Sequence, residues 1–367
     1  MIVERDIAGF ALPFAVGIMV TSLFGMQQTA ILYTTAIASI LTGAACISCL
    51  THPSHNNWSF ITILSLTTAA AFCCGIMTSA THSLSSIGIP SQDTIIHDRM
   101  SALGYAMKTR IDSLPLDSSN AKGILKALVT GDRSDISKTT LSIFRESGAS
   151  HILALSGLHL GIIYSLISRL LSFLGNSPMV RKIRSMLIIC LCGIYTAATG
   201  AGASISRAFL FIVLGETAAL SGRHKSTAGI LFTALTIQLI ISPGRVSDIG
   251  FQLSYAAMAG IAFIYPQLKR MWPKGKGGIM KRIWNCAAMS IACQITTGPL
   301  TCIYFGSFAH HFLLTNIIAL PLTGLIIPSA LLTASLDTLN ICPEILYQLT
   351  KTLVTLLERC LQTIATM

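Results

Sequence analysis

The thirteen residues HILALSGLHLGII, His151 to Ile163, place two histidines, a serine and two glycines inside a long apolar stretch where leucine would satisfy contact with lipid. Histidine and serine at such a place suit two chemistries. A serine nucleophile with a histidine base could transfer an acyl group, provided the two lie within hydrogen-bond reach. His159, one turn beyond Ser156 on the same helix, is expected to be poorly placed for that, and no GxSxG elbow accompanies it. Alternatively, the polar groups line a wet path at membrane depth, where the helix breaks and its freed backbone groups find water or protein partners. Read as helix, Ser156 and His159 share a face, and Gly157 and Gly161 form a small-xxx-small pair that lets a neighbouring backbone approach.

Further polar residues recur in later apolar segments. Arg207 and Glu216 share one predicted helix, and Glu216 is the more telling. A charge near the centre of a span costs roughly 2.5–3.5 kcal/mol on insertion scales and faces the bundle interior. Asp248 opens DIGFQLSYAAMAG as a helix cap, and Gln252 and Tyr255, three residues apart, present one polar-aromatic face. Gln294 and Asn316 add to a bundle with a polar interior, and Gly298-Pro299 and Pro321 read as breaks of the kind transporters use.

The elements that must hold these groups are transmembrane helices. The chain is 52% hydrophobic and 11% charged, with a mean hydropathy of +0.70, which excludes an ordinary soluble protein of 367 residues. Apolar runs able to cross a ~30 Å hydrocarbon layer fall at 7–25, 29–50, 58–80, 149–175, 185–204, 205–221, 226–242, 249–268, 283–304, 312–335 and 344–367. The last carries Lys351, Glu358 and Arg359 and reads equally as a surface amphipathic helix. The expected fold is all-α, a polytopic membrane protein of about ten or eleven transmembrane helices. Three regions are expected: 1–80, a group of three transmembrane helices; 81–148, an extracytoplasmic loop with short interfacial helices; and 149–367, the main helical core. The first apolar run is too long for a cleaved signal peptide and is kept as a spanning helix.

Within 81–148, Asn120 is expected to cap AKGILKALVT, which stops at Gly131. The next segment, DISKTTLSIFRESG, sets Ile136, Thr140, Phe144 and Ser147 on one side and reads as an interfacial amphipathic helix ending at Gly148. Eleven cysteines scattered through the spans suggest neither a disulfide framework nor a metal site, and the Cys46/Cys49 pair reads as packing. No cofactor is expected.

The net charge of +11 resides in three short loops. These carry Arg181, Lys182 and Arg184; Arg223 and Lys225; and Lys269, Arg270, Lys274, Lys276, Lys281 and Arg282, with no acidic residue among them. Two predicted helices separate successive loops, so all three share one side, which the positive-inside rule makes cytoplasmic. The N-terminus then lies inside and residues 81–148 outside.

Four segments in order, LVTGDRSDIS…FRESGASHILALSGLHLG, SRAFLFIVLGETAALSGR, SPGRVSDIGFQLSYAAMAG and GPLTCIYFGSFAHHFLLTNIIALPL, resemble the competence domain of the ComEC family, the inner-membrane DNA channel of natural transformation. The resemblance covers roughly residues 95–335. It implies a channel that passes single-stranded DNA across the cytoplasmic membrane, lined by His151, Ser156, Gly157, His159, Arg207, Asp248, Phe251, Gln252 and Ser254. Leu160 stands where the family more often has valine. Arg169, Glu216, Tyr255, Gln294 and Asn316 are secondary candidates. Arg207, Arg169 and the two histidines could supply positive charge, and Phe251 and Tyr255 stacking surfaces, as passage of a strand requires. Family members often carry an OB-fold between the N-terminal helices and this domain, and a metallo-β-lactamase-like nuclease after it. Here fifteen to twenty loop residues stand at the first place and no HxHxDH cluster is found, so a minimal core is expected. Membrane lipids, a periplasmic or surface DNA receptor and a cytoplasmic translocation motor are the implied partners. A transporter of another solute and an intramembrane serine hydrolase are the competing readings.

Overall fold

A computed structural model describes residues 11–19, 94–115, 119–175, 177–221, 226–273, 278–306 and 311–367. The spans expected at 29–50 and 58–80, the Cys46/Cys49 pair, and Arg223, Lys225, Lys274 and Lys276 lie outside these residues. The helices are α1 (11–19), α2 (Thr94–Ser113), α3 (Ser119–Thr130), α4 (Lys138–Glu146), α5 (Ser150–Leu153), α6 (Gly157–Leu171), α7 (Pro178–Ala198) and α8 (Ala203–Leu220). They continue with α9 (Thr227–Ile241), α10 (Ile249–Ala259), α11 (Tyr265–Arg270), α12 (Ile279–Phe305), α13 (Phe312–Thr338) and α14 (Glu344–Ala365). Among the described residues there is no strand, and the all-α expectation holds. Five helical stretches are long and apolar enough to cross a membrane: Gly157–Leu174, Ala203–Leu220, Ile249–Arg270, Ile279–Phe305 and Phe312–Thr338. These five are counted among the described residues; the expected ten or eleven is not confirmed, since 29–50 and 58–80 lie outside them. The expected span 149–175 is broken, 185–204 becomes a helix that begins among charged residues at Pro178, and 344–367 is amphipathic.

The chain divides into two compact units, residues 1–91 with 224–262 and residues 92–223 with 263–367. In the first, α9 and α10 pack on each other and on the 3-10 turn Pro243–Ser247.

The second unit is built around α3. The helix SNAKGILKALVT is buried on nearly every side despite its two lysines, and Ile124, Leu125, Ala127 and Leu128 are fully covered. Ala319, Ile326 and Ala330 of α13 and Val354, Leu357 and Leu361 of α14 complete that core. The segment expected as a separate loop, 81–148, therefore contributes α2, α3 and α4 to the same core as the C-terminal helices. The face expected on α4 is the one observed: Ile136, Thr140, Phe144 and Ser147 are all buried. It is covered by protein, α14 and α5 packing against α4. Helix α14 buries Thr350, Val354, Leu357, Leu361 and Ile364 at helical spacing, so the amphipathic reading of this segment is the better one.

A second cluster joins Leu160 and Ile163 of α6, Ile188, Cys192 and Tyr195 of α7, Ile205 of α8 and Ile327 of α13. Between α7 and α8 the chain reverses at Gly200 and Ala201, both at positive φ, four residues before the boundary read from the sequence. The expected proline breaks do not occur. Helix α12 runs through Pro299, and α13 through Pro321 and Pro328, as helices tolerate where neighbours re-satisfy the freed carbonyls. The irregularity falls instead after α10, where Gly260–Ile264 widens into a π turn just before Pro266.

Candidate functional site

His151, Ser156, Gly157 and His159 lie where α5 gives way to α6. Gly148, at φ +79°, closes α4, and α5 is a single turn that ends at Leu153 because Ala154 turns extended (ψ 128°). Ser156, also extended (φ −127°, ψ 172°), is the N-cap of α6. Its hydroxyl accepts from the Leu158 amide at 3.3 Å, while its own amide donates to His159 Nδ1 at 3.2 Å, a reciprocal capping box. The carbonyl of Leu153, freed at the break, accepts from Arg133 Nε at 3.1 Å, and that of Ser147, at the end of α4, accepts from Thr315 Oγ1 at 2.5 Å.

This geometry corrects the expectation that His159 cannot reach Ser156. Ser156 Oγ lies 3.1 Å from His159 Nδ1 because the serine precedes the helix rather than belonging to it. The contact meets the distance requirement for a nucleophile and its base, yet both atoms are engaged in capping, and the amide bond to Nδ1 assigns the ring proton to Nε2. Nε2 lies on the side of the Ile152 carbonyl but has no partner at hydrogen-bond geometry among the described residues. His159 is fully buried.

His151 differs in being exposed. Its Nδ1 donates to the Gly148 carbonyl at 3.1 Å, and the ring contacts the Asn316 side chain. Asn316 Oδ1 and Asn285 Oδ1 are buried atoms without a hydrogen-bond partner among the described residues. The Cys286 thiol, next to Asn285, lies 3.7 Å from the Asn316 carbonyl. Asn285 carried no sequence signal beyond being a polar residue in an apolar run.

Farther along α6, three helices meet on one carboxylate. Glu216 of α8, buried, accepts from Tyr164 of α6 at 2.8 Å and from Ser185 of α7 at 2.6 Å. The sequence pointed to Glu216 and missed both donors, which are ordinary residues until the helices are packed. Arg207, nine residues earlier on α8, is 3% exposed. Of the two glycines expected to admit a neighbour, only Gly157 does: a Cβ there would stand 3.1 Å from that of Ala208, whereas one on Gly161 would meet no described atom within 4 Å.

The remaining candidates of the first unit hold a turn together. Asp248 caps α10 through the Gly250 amide at 3.1 Å, and Gln252 Nε2 donates to the Val246 carbonyl at 2.9 Å. Tyr255 Oη donates to Gln238 of α9 at 2.9 Å. The Phe251 and Tyr255 rings lie 4.5 Å apart and are buried, so each is the other's stacking partner. Ser254 and Gln294 are half-buried, and Arg169 is exposed.

One cluster escaped the sequence reading altogether. Lys126 of α3, buried, donates to Asp112 and Asp135 at 2.8 Å each, and Lys108 pairs with Asp132 at 2.8 Å. The Lys108 ammonium and the Ser134 donors hold the Asp132 carboxyl well below the usual carboxylate range, and Lys126 does the same for Asp135. The two carboxylates in turn push the Lys126 ammonium up, against the cost of its burial.

Comparison with known proteins matches residues 128–367 to the family model described as Competence protein. ComE operon protein 3 of Bacillus subtilis (strain 168) is 27% identical over 59% of this chain and 25% of its own length. Uncharacterized protein YcaI of Escherichia coli (strain K12) is 23% identical over 58% of this chain and 28% of its own. Recombination protein 2 of Haemophilus influenzae (strain ATCC 51907 / DSM 11121 / KW20 / Rd) is 22% identical over 58% and 28%. The chain thus spans about a quarter of the length of these curated relatives. No solved structure matches.

Proposed function

The chain belongs to the competence-protein family, and on that premise we propose that it takes part in DNA uptake as the channel through which a single strand crosses the cytoplasmic membrane. The observation that carries this reading is the family match over residues 128–367, which contains every candidate residue named above. The geometry adds support at the α5–α6 break: an exposed His151 beside Asn316, with polar atoms held at a discontinuity between apolar helices. A discontinuous helix of this kind is how membrane proteins present backbone and polar side chains to a passing solute.

We place the N-terminus and the charged ends of α7, α11 and α12 in the cytoplasm, following Arg181, Lys182, Arg184, Lys269, Arg270, Lys281 and Arg282. A receptor outside and a motor inside complete the machine. The reading is not enzymatic, since Ser156 and His159 are committed to capping α6. A solute transporter would share the apolar helices, and binding separates the two. The purified chain is expected to bind a single-stranded oligonucleotide with an affinity that falls as salt rises, by a slope of about −0.7 per phosphate contacted. Absence of binding, or binding indifferent to salt, contradicts the channel.

A further inference from the structure

The adjoining ends of α11 and α12 concentrate charge that no carboxylate among the described residues neutralises. Lys269 and Arg270 end α11, and Lys281 and Arg282 open α12; all four are exposed, and none forms an ion pair among the described residues. No aspartate or glutamate occurs anywhere between Asp248 and Asp337. Interleaved with the cations are aliphatic side chains that face outward: Met271 is 69% exposed, Ile279 76% and Met280 62%.

Beneath them the ends of the two helices are tied together. Trp284 Nε1 donates to the Leu268 carbonyl at 3.2 Å, the Trp272 and Trp284 rings lie 6.1 Å apart, and Lys269 Nζ stands 5.8 Å from the centre of the Tyr265 ring. A paired-indole base, exposed aliphatics and four exposed cations match one environment, the boundary where acyl chains meet anionic headgroups. Bare nucleic acid fits less well. It has no use for Met271, Ile279 and Met280, and the two indoles face each other rather than a base.

We propose that the α11–α12 hairpin is a docking site for anionic phospholipid, with Lys269, Arg270, Lys281 and Arg282 holding headgroup phosphates and Met271, Ile279 and Met280 lying among the upper acyl carbons. The inference is independent of the channel reading, since it concerns only the lipid around one hairpin.

Tryptophan fluorescence tests it directly. The 367-residue chain has three tryptophans, so Trp58→Phe leaves Trp272 and Trp284 as the reporters. Reconstituted into mixed vesicles, this protein is expected to be quenched more by brominated phosphatidylglycerol than by brominated phosphatidylcholine, with a relative binding constant of about fivefold or more, the order expected for basic residues at an anionic surface. The preference falls with added salt, approaches one in Lys281→Gln with Arg282→Gln, and survives Lys281→Arg. A ratio of one in the parent protein, or a ratio that salt and neutralisation leave unchanged, overturns the proposal. So does a preference that a single-stranded oligonucleotide abolishes, which would make the hairpin a nucleic-acid surface.

Discussion

Polar side chains in this protein direct most of their hydrogen bonds to backbone ends and to one another. Ser156 and His159 cap α6, Asp248 caps α10, Gln252 ties a turn, and Glu216 receives two hydroxyls from two other helices. The residue types were legible in the sequence, because a charge or a histidine in an apolar run stands out. The partners were not, because Tyr164 and Ser185 acquire meaning only when three helices pack. The ion-pair cluster of Lys126 makes the same point and yields a prediction. Asp132 and Asp135 are depressed in the fold, so their contribution is complete above the ordinary aspartate value of 3.8 and is lost as pH falls below it. Lys126 is raised, so its contribution is complete below 10.5 and is lost as pH climbs beyond. Hydrogen exchange at the α3–α4 junction, corrected for intrinsic rates, should be flat between those limits and accelerate outside them. In Lys126→Met the alkaline limb should disappear.

At the scale of helices, periodicity foretold α4 with its buried face, since one apolar stripe reads the same whether lipid or protein covers it, whereas for α14 it left spanning and amphipathic readings open. What covers the stripe is a tertiary fact: α4, with Phe144 buried, packs against α14, which lies far from it in sequence. Prolines misled for a related reason, because α12 and α13 continue through them inside a bundle. A break does occur at Ala154–Ser156, within the stretch whose histidines, serine and glycines already suited a broken helix. Contact between α2 and α7 rests on Gly104, where a Cβ would collide with the Ala198 carbonyl. Gly104→Ala should therefore lower the melting temperature of the detergent-solubilised protein, with a loss of about 1–3 kcal/mol typical of overpacking. Ala at Gly161, which has room, should be nearly silent.

For the molecule as a whole, composition announced a membrane protein, while the division into two units was hidden because each draws on separated stretches of chain. The central claim, passage of a single strand of DNA through the membrane, is tested most directly in a transformable host lacking its own channel. There the entry of fluorescent DNA would be compared between this chain and its Arg207→Glu variant, with membrane insertion of both verified. The account predicts DNA in the cytosol with the parent chain and DNA held outside the inner membrane with the variant. Equal entry with both removes Arg207 from the conduit, and no entry with the parent chain, properly inserted and in the presence of the host's receptor and motor, contradicts the channel.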